Sequence, residues 1–131
     1  IDVTVDAPDC FDRLSPDVEI ALFRVVQECL TNVLRHSGSH CAHIRIVVSH
    51  GYAVLKVRDF GHGIHRRVER HGEGDAETLG VGIPGMRQRL LEFGGRLKIR
   101  TLAQGTIITA IIPVQQALAP AMVNISSAND R

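Results

Sequence analysis

Apolar and polar positions alternate along this chain with a period that switches from two to about 3.6 and back, and the switches mark out the elements. Residues 1–6, IDVTVD, alternate as a short strand does. APDCFDRLSPD follows as turn chemistry. Ser15 suits a helix N-cap, Pro16 the first helical position, and Asp17 with Glu19 the positive end of the dipole. From there to about Leu34, Ile20, Phe23, Val26, Leu30 and Val33 recur at helical spacing and predict a long amphipathic helix, which HSGSH ends. Residues 41–49 alternate with Ile44, Ile46 and Val48 on one face, and residues 52–58 with Ala53, Leu55 and Val57. Only His50-Gly51 lies between them, so a hairpin is expected. A helix from about Gly82 to Phe93 stops at Gly94-Gly95. Strands at about 96–101 and 106–112 are joined by a turn at Ala103-Gln104-Gly105. The whole predicts an α+β fold: a two-layer α/β sandwich of a mostly antiparallel sheet with its helices on one face.

Two stretches lack periodicity. Residues 62–79 carry charges and three glycines, and read as a functional lid or a disordered loop. Residues 115–131, QQALAPAMVNISSANDR, read as a weakly ordered tail, leaving one domain over 1–114. With 44% hydrophobic and 22% charged residues, 131 residues suffice for a core without staples. A net charge of +1 offers no electrostatic case for nucleic acid or membrane as the main partner. No apolar run approaches the ~20 residues of a bilayer span. Cys10, Cys29 and Cys41 are an odd, irregularly spaced set, which points to reduced thiols in a cytoplasmic setting. The chain opens on Ile and shows no signal peptide, as expected of a piece of a longer protein.

Three constellations carry chemistry. In QECLTNVLRHS, Glu28, Asn32 and Arg35 fall at i, i+4 and i+7 of the first helix. A carboxylate, an amide and a cation on one stripe suit a hydrated Mg2+ and the phosphates it bridges, since that ion prefers oxygen ligands and keeps several waters. The same residues also suit a plain solvated helix face. In RDFGHGI (58–64), Asp59 ends a strand before a glycine pair. A carboxylate only accepts hydrogen bonds, so there it would select the exocyclic amine of adenine over the carbonyl of guanine. A strand-ending turn is the alternative. GVGIPGM (80–86) matches GxGxxG, but no apolar strand precedes it and no acid follows at the dinucleotide-fold spacing. No GxxxxGK[ST] occurs anywhere. What remains is a glycine-rich start to a helix, whose free N–H groups and dipole can hold phosphate.

Taken together, these stretches resemble the ATP-binding domain of bacterial sensor histidine kinases, in the wider group shared with gyrase B, HSP90 and MutL. QECLTNVLRHS resembles the N box, RDFGHGI the first glycine box and GVGIPGMRQRL the second, while Gly105-Thr106 resembles the Gly-Thr that opens the last strand. The Glu-x-x-x-Asn spacing before Arg35-His36 is closest to the nitrate- and lipid-sensor subtype. The resemblance covers about 1–114. It implies the Bergerat ATP-binding fold with a mobile ATP lid, and ATP with Mg2+ as cofactors. It implies that Asn32 ligates Mg2+, that Glu28 orients or activates through a metal-bound water, and that Arg35 and His36 reach the phosphates. Asp59 would bond the adenine amine in a pocket shaped by Gly61, Gly63 and Ile64. Gly80, Gly82, Ile83, Gly85 and Met86 would bound the lid and meet the nucleotide, and Thr106 would support Asp59 through a water.

The implied activity is that of a histidine protein kinase catalytic domain in two-component signal transduction. Such a transferase delivers the γ-phosphate to a histidine on a separate dimerisation domain and, through that phosphorelay, to a response regulator. The implied setting is the cytoplasmic portion of a membrane-bound sensor, homodimeric at full length and monomeric as this piece, with no nucleic-acid partner. An anti-sigma-type serine kinase of the same fold and a regulatory module without ATP are the alternatives. Ser37-Gly38-Ser39 departs from the Ala usual after the basic-His pair, and a loosened helix end is expected there. His36, His40, Cys41 and His43 cluster without any common zinc spacing, and Cys29 is expected to be packed.

Overall fold

Ser15 does cap the first helix: its Oγ accepts the Val18 N–H at 3.4 Å, and Pro16 opens the helical turn behind it. A computed structural model of the chain describes residues 1–9, 14–62 and 82–114. The elements are β1 (Asp2–Asp6), α1 (Pro16–Asn32) running into a π turn (Val33–Ser37), β2 (Cys41–Ser49), β3 (Tyr52–Asp59), α2 (Gly82–Glu92), β4 (Arg96–Thr101) and β5 (Thr106–Pro113). Residues 63–79 of the expected lid and the tail at 115–131 lie outside the described residues.

The strands form one sheet in the order β1-β2-β3-β5-β4. β1 runs parallel to β2, and every other pairing is antiparallel. At the β2–β3 turn, His50 and Gly51 both have positive φ (54° and 78°), the handedness that lets a two-residue turn follow the twist of its strands. α1 lies over β3 and β5 and α2 over β4 and β5, with the helices touching each other. The alternation then sorts the sheet: Ala53, Leu55, Val57, Ile108, Ala110 and Ile112 point into the core. Gly94 ends α2 at φ 72°, its N–H and that of Gly95 returning to the carbonyls of Leu91 and Leu90.

Two expectations need correction. The buried residues of α1 are Val18, Ala21, Leu22, Val25 and Cys29, followed by Val33 in the π turn, whereas Ile20 and Phe23 are 57% and 60% exposed. Of the expected stripe, Val33 is buried and Val26 and Leu30 pack part-buried against the core, so the misplacement is confined to Ile20 and Phe23 in the first turns. The reason is that α1 is apolar over most of its circumference, so the sheet, not the spacing, selects the seated face. The second concerns the helix end, which is tied rather than loosened. Ser37 Oγ donates to the Val33 carbonyl at 3.0 Å and accepts the Ser39 N–H at 3.0 Å, and Gly38 turns the chain at φ 70°.

Candidate functional site

Asp59 occupies the last inward position of β3, in step with Ala53, Leu55 and Val57, but beyond the apolar layer. A carboxylate there is core-facing by parity, and only 9% of it is exposed. Burial raises its pKa above the ordinary 3.8, while the backbone N–H groups of Gly61 and Thr106 pull the other way. The Gly61 N–H reaches Oδ1 at 2.9 Å. Thr106, also buried, opens β5 beside it; one more step of the Arg58–Ile107 register brings Asp59 and Thr106 opposite each other. Phe60 folds onto the outer face of the sheet, its ring edge-on to His43 at 5.0 Å and under the Arg58 guanidinium at 4.5 Å.

The strand end is clamped to the end of the first helix. Ser39 Oγ, buried, accepts the N–H groups of Phe60 (3.1 Å) and Cys41 (3.3 Å) and donates to the Cys41 carbonyl (2.6 Å). The Ser37 carbonyl accepts the His62 N–H at 2.9 Å, and Gly61 packs so tightly on Ser37 that a Cβ would overlap its carbonyl. The two serines therefore join the motif carrying Glu28 and Asn32 to the motif carrying Asp59. Replacing Ser39 by Ala strands two N–H groups in a part-buried place, a cost of about 2 kcal/mol. Urea unfolding of Ser39→Ala should show a lower midpoint at an unchanged slope.

The second glycine cluster meets the first helix directly. Gly82, the first residue of α2, abuts Glu28, whose carboxylate fills the space a Cβ would take. Asn32 is half-buried one turn further along α1. Arg35 is exposed and His36 half-buried in the π turn, whose wider winding moves Arg35 off the straight i+7 line from Glu28. Ile83 is half-buried and Gly85 exposed, with nothing near its absent Cβ. Met86 is 1% exposed and packs in the core with Leu90, beneath the site rather than at its surface. Gly63, Ile64 and Gly80 lie outside the described residues.

Cys29 is buried under this region, as expected of a packing residue. Burial first, then the carboxylates of Glu28 and Asp59, push its thiol pKa up to about 12, so it stays protonated. Two residues escaped the sequence reading as site residues. Ser39 carries the clamp described above. Thr101 pairs with Thr106 across β4 and β5, and its buried Oγ1 has no partner among the described residues. The available signal was parity, since Thr101 is the last inward position of its strand.

Residues 17–116 match the family model described as histidine kinase-, DNA gyrase B-, and HSP90-like ATPase. The chain is 32% identical over 113 residues to the sensor histidine kinase MctS of Rhizobium johnstonii, covering 86% of this chain and 24% of that protein. It is 33% identical over 104 residues to the signal transduction histidine-protein kinase/phosphatase DegS of Brevibacillus brevis, covering 79% and 25%. Among solved structures, the blue-light activated histidine kinase of Erythrobacter litoralis superposes with a TM-score of 0.62 at 27% identity, over 90% of this chain and 36% of that one. The chain thus spans about a quarter of the length of the curated relatives it matches.

Proposed function

This chain belongs to the histidine kinase-, DNA gyrase B-, and HSP90-like ATPase family, and we propose that it is the ATP-binding catalytic module of a two-component sensor histidine kinase. The observation that carries the reading is the contact of Glu28 with Gly82, which sets a carboxylate helix against a glycine-opened helix N-terminus. A carboxylate beside the first turn of a helix would set oxygen donors and backbone N–H groups at one place, as a metal-bridged phosphate requires. The module needs no covalent nucleophile of its own, because phosphoryl transfer asks the protein mainly to position groups and stabilise charge. Its γ-phosphate would go to a histidine on a separate dimerisation domain, and from there to a response regulator. The relatives named above are sensor kinases, which disfavours the serine-kinase alternative.

In this proposal Asp59 recognises the adenine amine, with Gly61, Gly63 and Ile64 around the base and Thr106 behind the carboxylate. Arg35 and His36 face the phosphates. Gly80, Gly82, Ile83 and Gly85 frame the lid. Glu28 and Asn32 are hard oxygen donors one turn apart and half-buried, a set that fits Mg2+ with Asn32 as direct ligand and Glu28 acting through water. When bound, Mg2+ neutralises charge on the phosphates it bridges. The nitrate- or lipid-sensor subtype rests on the Glu28-to-Asn32 spacing before Arg35-His36. The cytoplasmic portion of a membrane-bound sensor is the proposed setting; among the described residues no helix is long and apolar enough to cross a membrane.

Calorimetric titration with ATP tests the metal assignment. Wild type should bind more tightly with Mg2+ than with EDTA. Asn32→Ala should lose most of that difference, about tenfold in affinity, and leave the EDTA value nearly unchanged. Equal losses in both buffers would remove Asn32 from the metal site.

A further inference from the structure

The near-zero net charge of the chain conceals a strong segregation. The sheet face turned away from the helices carries three rows that run across β2, β3, β5 and β4. One reads His43, Arg58, Ile107, Arg100; the next Arg45, Lys56, Thr109, Lys98; the third Val47, Val54, Ile111, Arg96. Arg45, Lys56, Arg58, Arg96, Lys98 and Arg100 are all exposed, and together they are six of the 15 Lys and Arg residues in the chain. No Asp or Glu occupies an outward position of these four strands. The one ion pair among the described residues on this face is at its edge, Arg45 Nε to Asp6 Oδ2 of β1 at 3.3 Å. With strands roughly 4.8 Å apart and same-face residues roughly 6.8 Å apart, the six cations fall within a plate about 14 Å on a side. The plate also has an apolar end. The third row approaches the β2–β3 turn, where Val47 and Tyr52 are 39% and 49% exposed.

We infer that this outer sheet face docks on an anionic lipid surface. Cations spread in two dimensions over four strands match a surface that offers anions in every direction, whereas a duplex presents its phosphates along two backbone lines. Single-stranded nucleic acid calls for open aromatic rings to stack on. Here Phe60 is covered by Arg58 and engaged by the His43 ring, which leaves Tyr52 as the open six-membered ring at the margin of the described face. The apolar end with its tyrosine suits the headgroup boundary, where aromatic side chains settle and short apolar patches anchor. Both ingredients of reversible peripheral binding are present: basic residues to draw the plate to the surface and an apolar edge to hold it. The inference stands apart from the nucleotide site, which lies on the helical side of the sheet.

The test is co-sedimentation of the chain with vesicles of phosphatidylcholine containing about 30% phosphatidylserine, against phosphatidylcholine alone. Binding should be at least about tenfold stronger to the anionic vesicles at low salt and should vanish near 1 M salt, where the screening length is about 3 Å. The double variant Lys56→Glu/Lys98→Glu should lose about tenfold or more of that binding. Arg24→Glu/Arg89→Glu, on the helical side, should keep it. Circular dichroism melts of both variants establish that they are folded. Equal binding to both vesicle types, or equal losses in the two variants, would overturn the inference. So would tighter binding to a duplex oligonucleotide than to anionic vesicles at the same salt, which would assign the face to nucleic acid.

Discussion

Asp59→Asn is expected to raise the melting temperature of the ligand-free domain at neutral pH by a few degrees while lowering its ATP affinity roughly 30- to 150-fold. The opposite signs share one cause. Asp59 is core-facing and its pKa is raised, chiefly by burial. A carboxyl raised in the folded state favours folding fully below its unfolded value near 3.8, and that contribution is lost as pH rises through the folded value. At neutral pH the ionised group therefore weighs against the fold. Asn does not titrate, so the stability gap between variant and wild type should open as pH rises from about 4 and level off above the raised pKa. Thermal melts across that range read it directly; a gap independent of pH would disprove the burial account.

The affinity loss follows from which oxygen is already taken. Gly61 N–H holds Oδ1, so Asn keeps its own oxygen there and puts its NH2 where the second carboxylate oxygen stood. A donor then faces the adenine amine, also a donor. Losing a charge-assisted hydrogen bond costs about 2–3 kcal/mol, the fold-change given above. Guanine presents a carbonyl at the equivalent edge, so the ratio of GTP to ATP affinity should rise. Unchanged ATP affinity by calorimetry would take Asp59 out of the base site.

Strand and turn positions were legible because each is fixed by local chemistry. His50-Gly51, Gly94 and Gly105 all take the left-handed conformations their turns require. Asp59 was legible as a motif; its inward position follows from the structure, where it continues Ala53, Leu55 and Val57 by one step. The seated face of the first turns of α1 was not legible. Ile20 and Phe23 are as apolar as Leu22 and Val25, and only the positions of β3 and β5 decide which pair is covered. The serine clamp was misread for a related reason. Ser37 and Ser39 find their partners in the π turn, in β2 and, 21 residues on for Ser39, at Phe60. The cationic face is hidden at the level of composition, because the acids that balance it sit on other elements. It emerges only when strand order brings β2, β3, β5 and β4 side by side.

Gly105→Ala is expected to be the most damaging single-methyl change in the described structure, at about 3 kcal/mol or more, enough to leave a marginal domain partly unfolded. Two costs combine at this position. Its φ of 89° is one that L side chains rarely adopt, and a Cβ would overlap the Asp59 carbonyl and stand 2.8 Å from Phe60 Cα. Those obstacles are backbone, so relief requires moving the strand end that presents Asp59. Two other glycines separate the terms. Gly94 shares a positive φ (72°), but its nearest neighbour is a Pro113 ring carbon at 3.6 Å, so Gly94→Ala should show the conformational strain alone, about 1 kcal/mol. Gly85 lies inside α2 with nothing within 4 Å, so Gly85→Ala should stabilise by up to about 1 kcal/mol through helix propensity. If Gly85→Ala nonetheless weakens ATP binding, the glycine serves close approach of the nucleotide and not the fold. Urea unfolding of the three variants gives the order Gly105, Gly94, Gly85 from least to most stable; a Gly105→Ala domain as stable as Gly94→Ala would mean that the contact with Asp59 yields without cost.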